Sequence, residues 1–183
     1  WDLTTGSKNV KIAVIDTGVD YNHPDLKGNV WINEKELNGK PGVDDDGDGY
    51  IDDIHGYNFA TNTADPMDGH GHGTHCSGTI GALHDNQVGV AGVMSDATIV
   101  PVKFLGDDGS GTLEAAVKAI DYATSLNVDL MSNSWGGGGY SQALFDAIKR
   151  ASDKGIIFTA AAGNESSNND SDPSYPASYQ LPN

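Results

Sequence analysis

The sequence predicts an α/β fold of three layers, in which helices cover both faces of a mainly parallel sheet. Short apolar runs alternate with amphipathic segments of about 12 to 15 residues, a pattern typical of strands joined by crossover helices. The chain has 183 residues, of which 37% are hydrophobic. This is enough for one core and about one domain.

Four apolar runs are predicted to be strands, over residues 10–16, 98–104, 128–134 and 156–161. Pro101 lies inside the second run. Because proline cannot donate to a ladder, we expect it at a bulge or at a locally unpaired position.

Three helices are predicted between these strands. One begins at His72 and ends near Leu83, one carries apolar residues at helical spacing from Leu113 to Ala123, and one spans residues 141–154. Residues 28–70 are polar and glycine-rich and show no helical period longer than a turn or two. Such long excursions are usually functional or organised by a metal.

The composition excludes several classes of protein. Acidic residues outnumber basic ones by 26 to 10, so the basic footprint of a nucleic-acid-binding protein is missing and we expect no nucleic-acid partner. Cys76 is the only cysteine, which excludes an internal disulfide. Neither a signal peptide nor an apolar run of about 18 residues is visible, so no membrane span is predicted.

Polar groups follow the predicted strands at their carboxyl ends, where parallel sheets bind ligands. Asp16 ends the first strand, glycines follow Ser134, and Asn164 follows the last strand, while His72 begins a helix among the connections. A carboxylate, an imidazole, exposed glycine backbone and a carboxamide can activate a nucleophile and stabilise an oxyanion. The nucleophile itself is not among these groups.

Three motifs in this order resemble the subtilisin-like serine proteases, with a pattern close to the thermitase-like and apicomplexan-type members. They are Ile-Asp-Thr-Gly at 15–18, His-Gly-Thr-His at 72–75 and Ala-Ala-Gly-Asn at 161–164. The resemblance implies a serine endopeptidase in which Asp16 orients the base, His72 is the general base and Asn164 donates to the oxyanion. It also implies a cis peptide bond before Pro176.

The serine of that family lies in a Gly-Thr-Ser-Met-Ala motif that this sequence does not contain. The resemblance therefore implies that residues 1–183 are the amino-terminal two-thirds of a peptidase domain, incomplete at both ends, with the nucleophile beyond Asn183. This part alone is expected to be inactive. The alternative is an inactive subtilase-like unit, or pseudoprotease, that acts by binding calcium or a partner.

The resemblance further implies a cleft for a protein or peptide substrate in extended conformation. Its two backbone rails are Gly109, Ser110, Gly111 and Ser134, Trp135, Gly136. Leu113 either borders a second apolar subsite or belongs to the core of its helix. The primary pocket is implied to prefer large hydrophobic side chains and to tolerate basic ones, with walls at Ala161, Ala162 and Gly163, a rim at Glu165 and a floor at Ser174. An inhibitory propeptide and secretion of the protein are also implied.

The acidic segment from Asp44 to Asp53 holds six aspartates in the alternating pattern of an EF-hand loop, but without its flanking helices. The aspartates would repel one another without a cation. The pattern therefore predicts a Ca²⁺ site. His55 stands where the loop normally has its bidentate glutamate, so the predicted ligands are Asp44, Asp46, Asp48, Tyr50 through its carbonyl, and Asp53.

A second Ca²⁺ site is implied by the resemblance alone. Its ligands would be Asp25, Asn86 and the carbonyls of Leu83, Val88 and Val90. This site is expected to be weakened, because the ligand that an earlier segment of the family supplies is missing here.

The histidines allow a different interpretation. His70, His72 and His75 resemble the cluster of the metallo-β-lactamase-like zinc hydrolases, and imidazoles suit zinc. That family has an aspartate where this chain has Thr74, and its fold requires neither of the other two motifs, so the protease is preferred. In a protease we expect His70 at the cleft rim, His75 buried, and Cys76 behind the base.

Overall fold

The computed structural model describes residues 1–181, in which strands and helices alternate. The strands are β1 (Gly6–Asp16), β2 (Tyr57–Asn58), β3 (Asp96–Lys103), β4 (Leu130–Asn133) and β5 (Ile157–Ala160), and the helices are α1 (Glu34–Leu37), α2 (His72–Gly81), α3 (Leu113–Ser125) and α4 (Gln142–Asp153). The strands are parallel and lie in the order β2-β3-β1-β4-β5. The predicted fold class is confirmed, and the predicted elements are present with ends that differ by a few residues.

The central strand β1 sends alternate side chains to the two faces of the sheet, as strand geometry requires. Ala13 and Ile15 belong to the larger core, which the helices α3 and α4 cover. Val14 belongs to a smaller core with Ile99, against which α2 packs through Ile80. One strand therefore supplies both cores, and the structure has three layers.

Pro101 occupies an interior strand without a bulge, since β3 keeps an unbroken register with β1 around it. The Pro101 nitrogen faces the side of β3 that lies away from β1. The Ile99 nitrogen faces the same side and donates to the Asn29 carbonyl. On that side Ile99 bridges Val30, and pairing with β2 begins only at Val102. Pro101 therefore sits at a locally unpaired position, one of the two predicted alternatives.

Side-chain caps fix where the long helices begin. The Thr112 side chain accepts from the amide of Ala115 at the start of α3, and the Ser141 side chain accepts from that of Leu144 at the start of α4. The Tyr175–Pro176 peptide bond is cis, as implied. Within residues 1–181, no helix is both long enough and apolar enough to cross a bilayer.

The order of strands reverses beside β1. From β1 the chain adds β2 and β3 on one side of it and then crosses to place β4 and β5 on the other side. The carboxyl ends of β1 and β4, at Asp16 and Asn133, therefore flank a switch point, where open parallel sheets bind ligands.

Helix α3 offers a test of the packing. Ile120 is fully buried, whereas Leu113 on the same helix is 50% exposed. We expect Ile120→Ala to lower the free energy of unfolding by about 2–5 kcal/mol, because it leaves a cavity. Leu113→Ala should change it by only about 0.5 kcal/mol. Urea unfolding measures both, and equal losses would contradict this placement of Ile120.

Candidate active site

Asp16, the last residue of β1, and His72, the first residue of α2, are in contact. The distance from His72 Nδ1 to Asp16 Oδ1 is 2.7 Å, and the same oxygen accepts the amide of Thr17 at 2.7 Å. The Asp16 side chain is buried, while 43% of the His72 side chain is exposed. The imidazole is therefore held by a carboxylate on one side and open on the other, as a general base requires.

The close approach of α2 to the end of β1 depends on Gly73. A Cβ atom at this position would lie 2.1 Å from the carbonyl oxygen of Gly18, so a larger residue would push the helix away. The amide of Gly73 donates to Thr17 Oγ1 at 2.9 Å. This hydrogen bond ties the start of the helix to the loop that follows Asp16.

Asp68 organises the turn that leads into α2. It accepts the amides of His70, Gly71 and Thr74 at 2.8–2.9 Å. It also accepts the hydroxyls of Thr74, at 2.6 Å, and Thr17, at 2.9 Å. Burial alone would raise the pKa of Asp68, but the hydrogen bonds from Thr74, Gly71 and His70 outweigh it and lower the pKa. This role of Asp68 was not predicted from the sequence, although a carboxylate just ahead of a helix is a known start signal.

The three neighbouring histidines separate in the structure. His70 lines the cleft in front of His72, as predicted, and their ring centroids are 6.3 Å apart. His75 is exposed in a separate groove, so the prediction that it is buried is wrong; glycines and small residues leave that face of α2 uncovered. Among the described residues, neither group of side chains able to share a metal contains His70 or His75. The geometry thus gives the zinc-hydrolase alternative no support.

A cleft of about 840 Å³ opens in front of His72. It is lined by residues from both predicted rails and by the predicted subsite residue, namely Gly109, Ser110, Gly111, Leu113, Ser134, Trp135 and Gly136. The Trp135 ring packs edge-on against Phe104 with centroids 4.8 Å apart, which fixes one rail to the end of β3. Leu113 is half exposed and lines the cleft, so the subsite interpretation fits it better than the core interpretation.

Asn164 and the predicted pocket walls follow β5, at the same edge of the sheet as Asp16 but two strands away. Asn164 is exposed, and its backbone amide donates to the Glu165 carboxylate at 2.8 Å. The neighbouring Ala161, Ala162 and Gly163 are exposed as well. None of these residues lines the cleft around His72 in the part of the chain that the structure describes. Their pocket and oxyanion roles remain predictions.

Ser174 lies against the second rail. A Cβ atom added to Gly136 would be 3.6 Å from Ser174 Oγ and 3.4 Å from the carbonyl oxygen of Tyr175, which also accepts the amide of Gly137 at 3.1 Å. The structure thus places Ser174 beside the cleft, which is compatible with its predicted position at a pocket floor.

Comparison with known proteins decides the family. The profile described as "Subtilase family" matches residues 7–182. The chain belongs to the subtilase family.

Individual relatives agree with this subtilase assignment. Subtilisin-like protease 1 of Plasmodium berghei (strain Anka) is 45% identical over 88% of this chain and 27% of its own length. Thermitase of Thermoactinomyces vulgaris is 37% identical over 98% of this chain and 54% of its own length. The crystal structure of a cold adapted subtilisin-like serine proteinase matches with a TM-score of 0.60 and 33% identity, over 86% of this chain and 47% of that chain. The chain thus spans between about a quarter and about half of these relatives.

The acidic loop of this subtilase is organised by Glu36 of α1, a residue that the sequence analysis missed. Glu36 is buried and accepts the amides of Asp45 at 2.6 Å, Asp46 at 3.1 Å and Asp52 at 2.9 Å. Carboxylate oxygens of Glu36, Asp44 and Asp46 lie within 4.8 Å of one another, close enough to share a metal ion. Glu36 escaped notice because it precedes the aspartates, whereas the EF-hand pattern places its glutamate after them.

Two other predicted ligands differ in their surroundings. Asp48 Oδ2 is buried and has no hydrogen-bond partner within the described part of the chain, and burial raises the pKa of Asp48. A buried acceptor without a donor fits a cation. Asp53 instead uses both oxygens, since Oδ1 accepts Asn33 Nδ2 at 2.8 Å and Oδ2 accepts the Tyr122 hydroxyl. Burial raises the pKa of Asp53 to about 7. The structure thus groups Glu36, and not Asp53, with the other carboxylates.

Tyr50 and Asp25, two further predicted calcium ligands, make contacts with other parts of the protein. The Tyr50 ring packs edge-on against Tyr57 and Tyr122 and anchors the loop to the core, while the role of its carbonyl stays a prediction. At the second predicted site Asp25 is buried, and its two oxygens accept Asn86 Nδ2 at 2.6 Å and the amide of Val90 at 2.9 Å.

The other predicted ligand residues lie in the loop around Asp25, where the backbone amides of Leu83, Val88 and Val90 donate hydrogen bonds. The amide of Leu83 donates to the carbonyl of Asp25 at 3.0 Å, and the amide of Val88 donates to Asn86 Oδ1 at 3.0 Å. The structure therefore collects these residues around Asp25, while its carboxylate is bonded by protein donors. Calcium binding at this site stays a prediction.

Cys76 lies behind the base, as predicted, with Sγ 4.0 Å from His72 Nδ1. The residue is half-buried. Burial raises the pKa of its thiol, and a hydrogen bond with Ser134 opposes that rise.

Removing the carboxylate of Asp68 should loosen the start of α2. We expect Asp68→Ala to lower the free energy of unfolding by about 1–3 kcal/mol, because the partly buried donors of Thr17 and Thr74 lose their acceptor. The folded pKa is lowered, so this contribution is present above the unfolded pKa of about 3.9 and is lost as the pH falls through the folded value. The difference between the two proteins should therefore shrink in acid.

The matched control for this prediction is Asp108→Ala, because Asp108 is an exposed carboxylate whose hydrogen bonds stay within its own loop. Urea unfolding at several pH values measures the effect. A loss for Asp68→Ala no larger than that for Asp108→Ala would contradict the capping role.

Proposed function

We propose that this chain is the base-bearing part of a serine endopeptidase that hydrolyses peptide bonds through an Asp-His-Ser triad. Asp16 and His72 supply two members, and the serine is placed beyond Asn183. One observation carries the proposal: His72 Nδ1 lies 2.7 Å from the buried Asp16 carboxylate, and the ring faces a cleft between two glycine-containing segments.

The geometry supports a definite division of roles. Asp16 accepts a hydrogen bond from the Nδ1–H group of His72, which holds the proton on Nδ1 and leaves Nε2 free to take the proton of an attacking hydroxyl. Burial of Asp16 makes this contact directional, since the carboxylate cannot turn toward water. Asn164 would donate to the oxyanion, a role worth about 2.7–4 kcal/mol in transition-state stabilisation.

Substrate would bind in extended form between the rails. Glycine at 109, 111 and 136 allows the peptide backbone to approach closely and pair as an added strand. An inhibitory propeptide would use the same rails. A large hydrophobic side chain of the substrate would enter the primary pocket beside Ser174. The Glu165 carboxylate would also allow a basic side chain of the substrate at this pocket. Secretion remains part of the proposal, although relatives include the major intracellular serine protease of Bacillus subtilis.

Calcium is proposed at the acidic loop, held by Glu36, Asp44 and Asp46 with Asp48 beside them. Oxygen donors and excess negative charge suit this hard cation. The ion would neutralise the negative charge of these carboxylates and so fix the loop. The loop contacts the aromatic core through the Tyr50 ring, which packs against Tyr122.

A pseudoprotease that acts only through calcium or a partner is the second candidate, because the acidic loop is built independently of the base. Peptidase activity of the complete protein distinguishes the two candidates.

The first test replaces the base. In the complete protein we expect His72→Ala to lower kcat by a factor on the order of 10⁶, the size found for the corresponding residue in subtilisin. His75 lies three residues after His72 and is exposed in the other groove, so His75→Ala should leave kcat unchanged. Peptide hydrolysis and labelling by a serine-directed phosphonate measure the outcome. Full activity in His72→Ala, or loss of activity to zinc chelation without phosphonate labelling, would refute the mechanism.

The second test concerns calcium. At about 100 times its Kd, the ion should stabilise the fold by about 2.7 kcal/mol. EGTA should therefore lower the melting temperature, and Glu36→Gln should abolish this response, as should Asp46→Ala combined with Asp48→Ala. Asp172→Asn makes the same change of charge at an exposed site and should retain the response. Asp53→Asn should also retain it if Glu36 is the closing ligand. A melting curve that EGTA does not move would remove the site.

A further inference from the structure

Lys103 is a buried charged residue for which the proposed function gives no role. It ends β3, where it pairs in register with Asp16, and it is only 4% exposed. Burying an ammonium group is costly unless hydrogen-bond acceptors replace the lost water. Among the described residues, Nζ donates to the carbonyl oxygen of Thr17 and, at 2.8 Å, to Asp107 Oδ1. Both contacts lead into the candidate active site.

The contact with Thr17 fixes the loop beside the base. Thr17 is buried and donates its amide to Asp16 Oδ1 at 2.7 Å. Its hydroxyl accepts the amide of Gly73 at 2.9 Å and donates to Asp68 at 2.9 Å. The carbonyl is the remaining polar group of Thr17, and Lys103 occupies it. Without the ammonium, this buried carbonyl would lose its donor, and the loop that aligns the Asp16 carboxylate would be held less firmly.

The contact with Asp107 fixes the rail that contains Gly109. Asp107 belongs to the same turn, in which the amide of Gly109 donates to the carbonyl of Gly106 at 2.9 Å. The Asp107 carboxylate also lies against Gly69, where an added Cβ atom would be only 2.3 Å from Oδ2. The carboxylate therefore meets the turn into α2 on one side and the ammonium of Lys103 on the other.

The main chain that follows Lys103 reinforces this connection. The amides of Phe104 and Leu105 donate to the carbonyl of Asp16 at 3.0 and 3.2 Å. We propose that Lys103 is a positioning residue: its ammonium joins the loop beside the base to the rail that contains Gly109, so that the imidazole and the substrate backbone keep one fixed arrangement. This role rests on the proposed function. It matters because a displacement of about 1 Å can lower a rate on the order of 10²-fold.

Lys118 offers a matched control. It pairs with Glu114, four residues earlier, at 2.6 Å, and both side chains are well exposed, at 48% and 78%. Lys103 pairs with Asp107 at the same spacing, but its side chain is 5% exposed while that of Asp107 is 66% exposed. Because the Asp107 carboxylate is open to water, Lys103→Met leaves no buried charge unpaired, and methionine fills the space of the lysine stem. This variant is therefore expected to fold.

Peptide hydrolysis by the complete protein tests the role. We expect Lys103→Met to lower kcat on the order of 10²-fold and to raise KM, because the base and the rail both lose their link. Asp107→Ala removes only the contact with the rail. It should raise KM about tenfold and leave kcat unchanged, as expected for lost binding that is equal in the ground state and the transition state. Lys118→Met should change neither constant.

Hydrogen exchange of the same proteins, measured at single amides, needs no activity. In Lys103→Met the amides of Thr17 and Gly73 should exchange at least about tenfold faster, because the loop beside the base opens more often. In Asp107→Ala the amide of Gly109 should exchange faster and that of Thr17 should not. Circular dichroism confirms that each variant is folded.

Several results would overturn the role. Folded Lys103→Met with the kcat of the wild type would do so, as would exchange at Thr17 that stays unchanged. Faster exchange throughout the chain would indicate only a loss of stability and would equally contradict positioning. If Lys103→Met does not fold, Asp107→Ala decides, and an unchanged KM with unchanged exchange at Gly109 would refute the link. If the complete wild type hydrolyses no peptide, the proposed function fails, while exchange still decides whether Lys103 joins the two segments.

Discussion

Burial of the Asp16 carboxylate is the constraint around which the end of the sheet is built. A carboxylate without access to water needs donors, and here the His72 ring and the Thr17 amide both reach Oδ1 at 2.7 Å. The ring can reach it only because α2 packs tightly on the strand end, where Gly73 leaves no room for a side chain. The position of the His72 ring is therefore a consequence of backbone packing.

The excess of acidic residues has a structural use in this protein. Residues 28–70 contain little regular structure, so their backbone amides need other acceptors. Glu36 accepts three of these amides and Asp44 accepts those of Gly47 and Gly49. Asp68 does the same immediately before α2. Carboxylates thus replace ladder partners, and a loop held in this way retains negative charge that a cation can balance.

Local pattern predicted the sheet and the contact between Asp16 and His72, because both follow from short-range rules. Apolar runs locate the strands, and the ends of parallel strands meet at one edge, which brings Asp16 toward His72. Glu36 could not be found this way, since it contacts the aspartates only after the chain folds back. His75 was misplaced because helical spacing does not reveal which face of α2 the rest of the chain covers. The roles predicted for Asn164 and the residues before it stay predictions, because these residues follow β5, two strands away from β1.

The thiol beside the base follows from the same geometry that places the base. A histidine on the first turn of a helix has the residue four positions later behind its ring, and in this chain that residue is Cys76. Asp16 Oδ1 and Cys76 Sγ both approach His72 Nδ1, at 2.7 Å and 4.0 Å. Because the carboxylate is buried and much closer than the thiol, the hydrogen bond to Asp16 fixes the orientation of the ring.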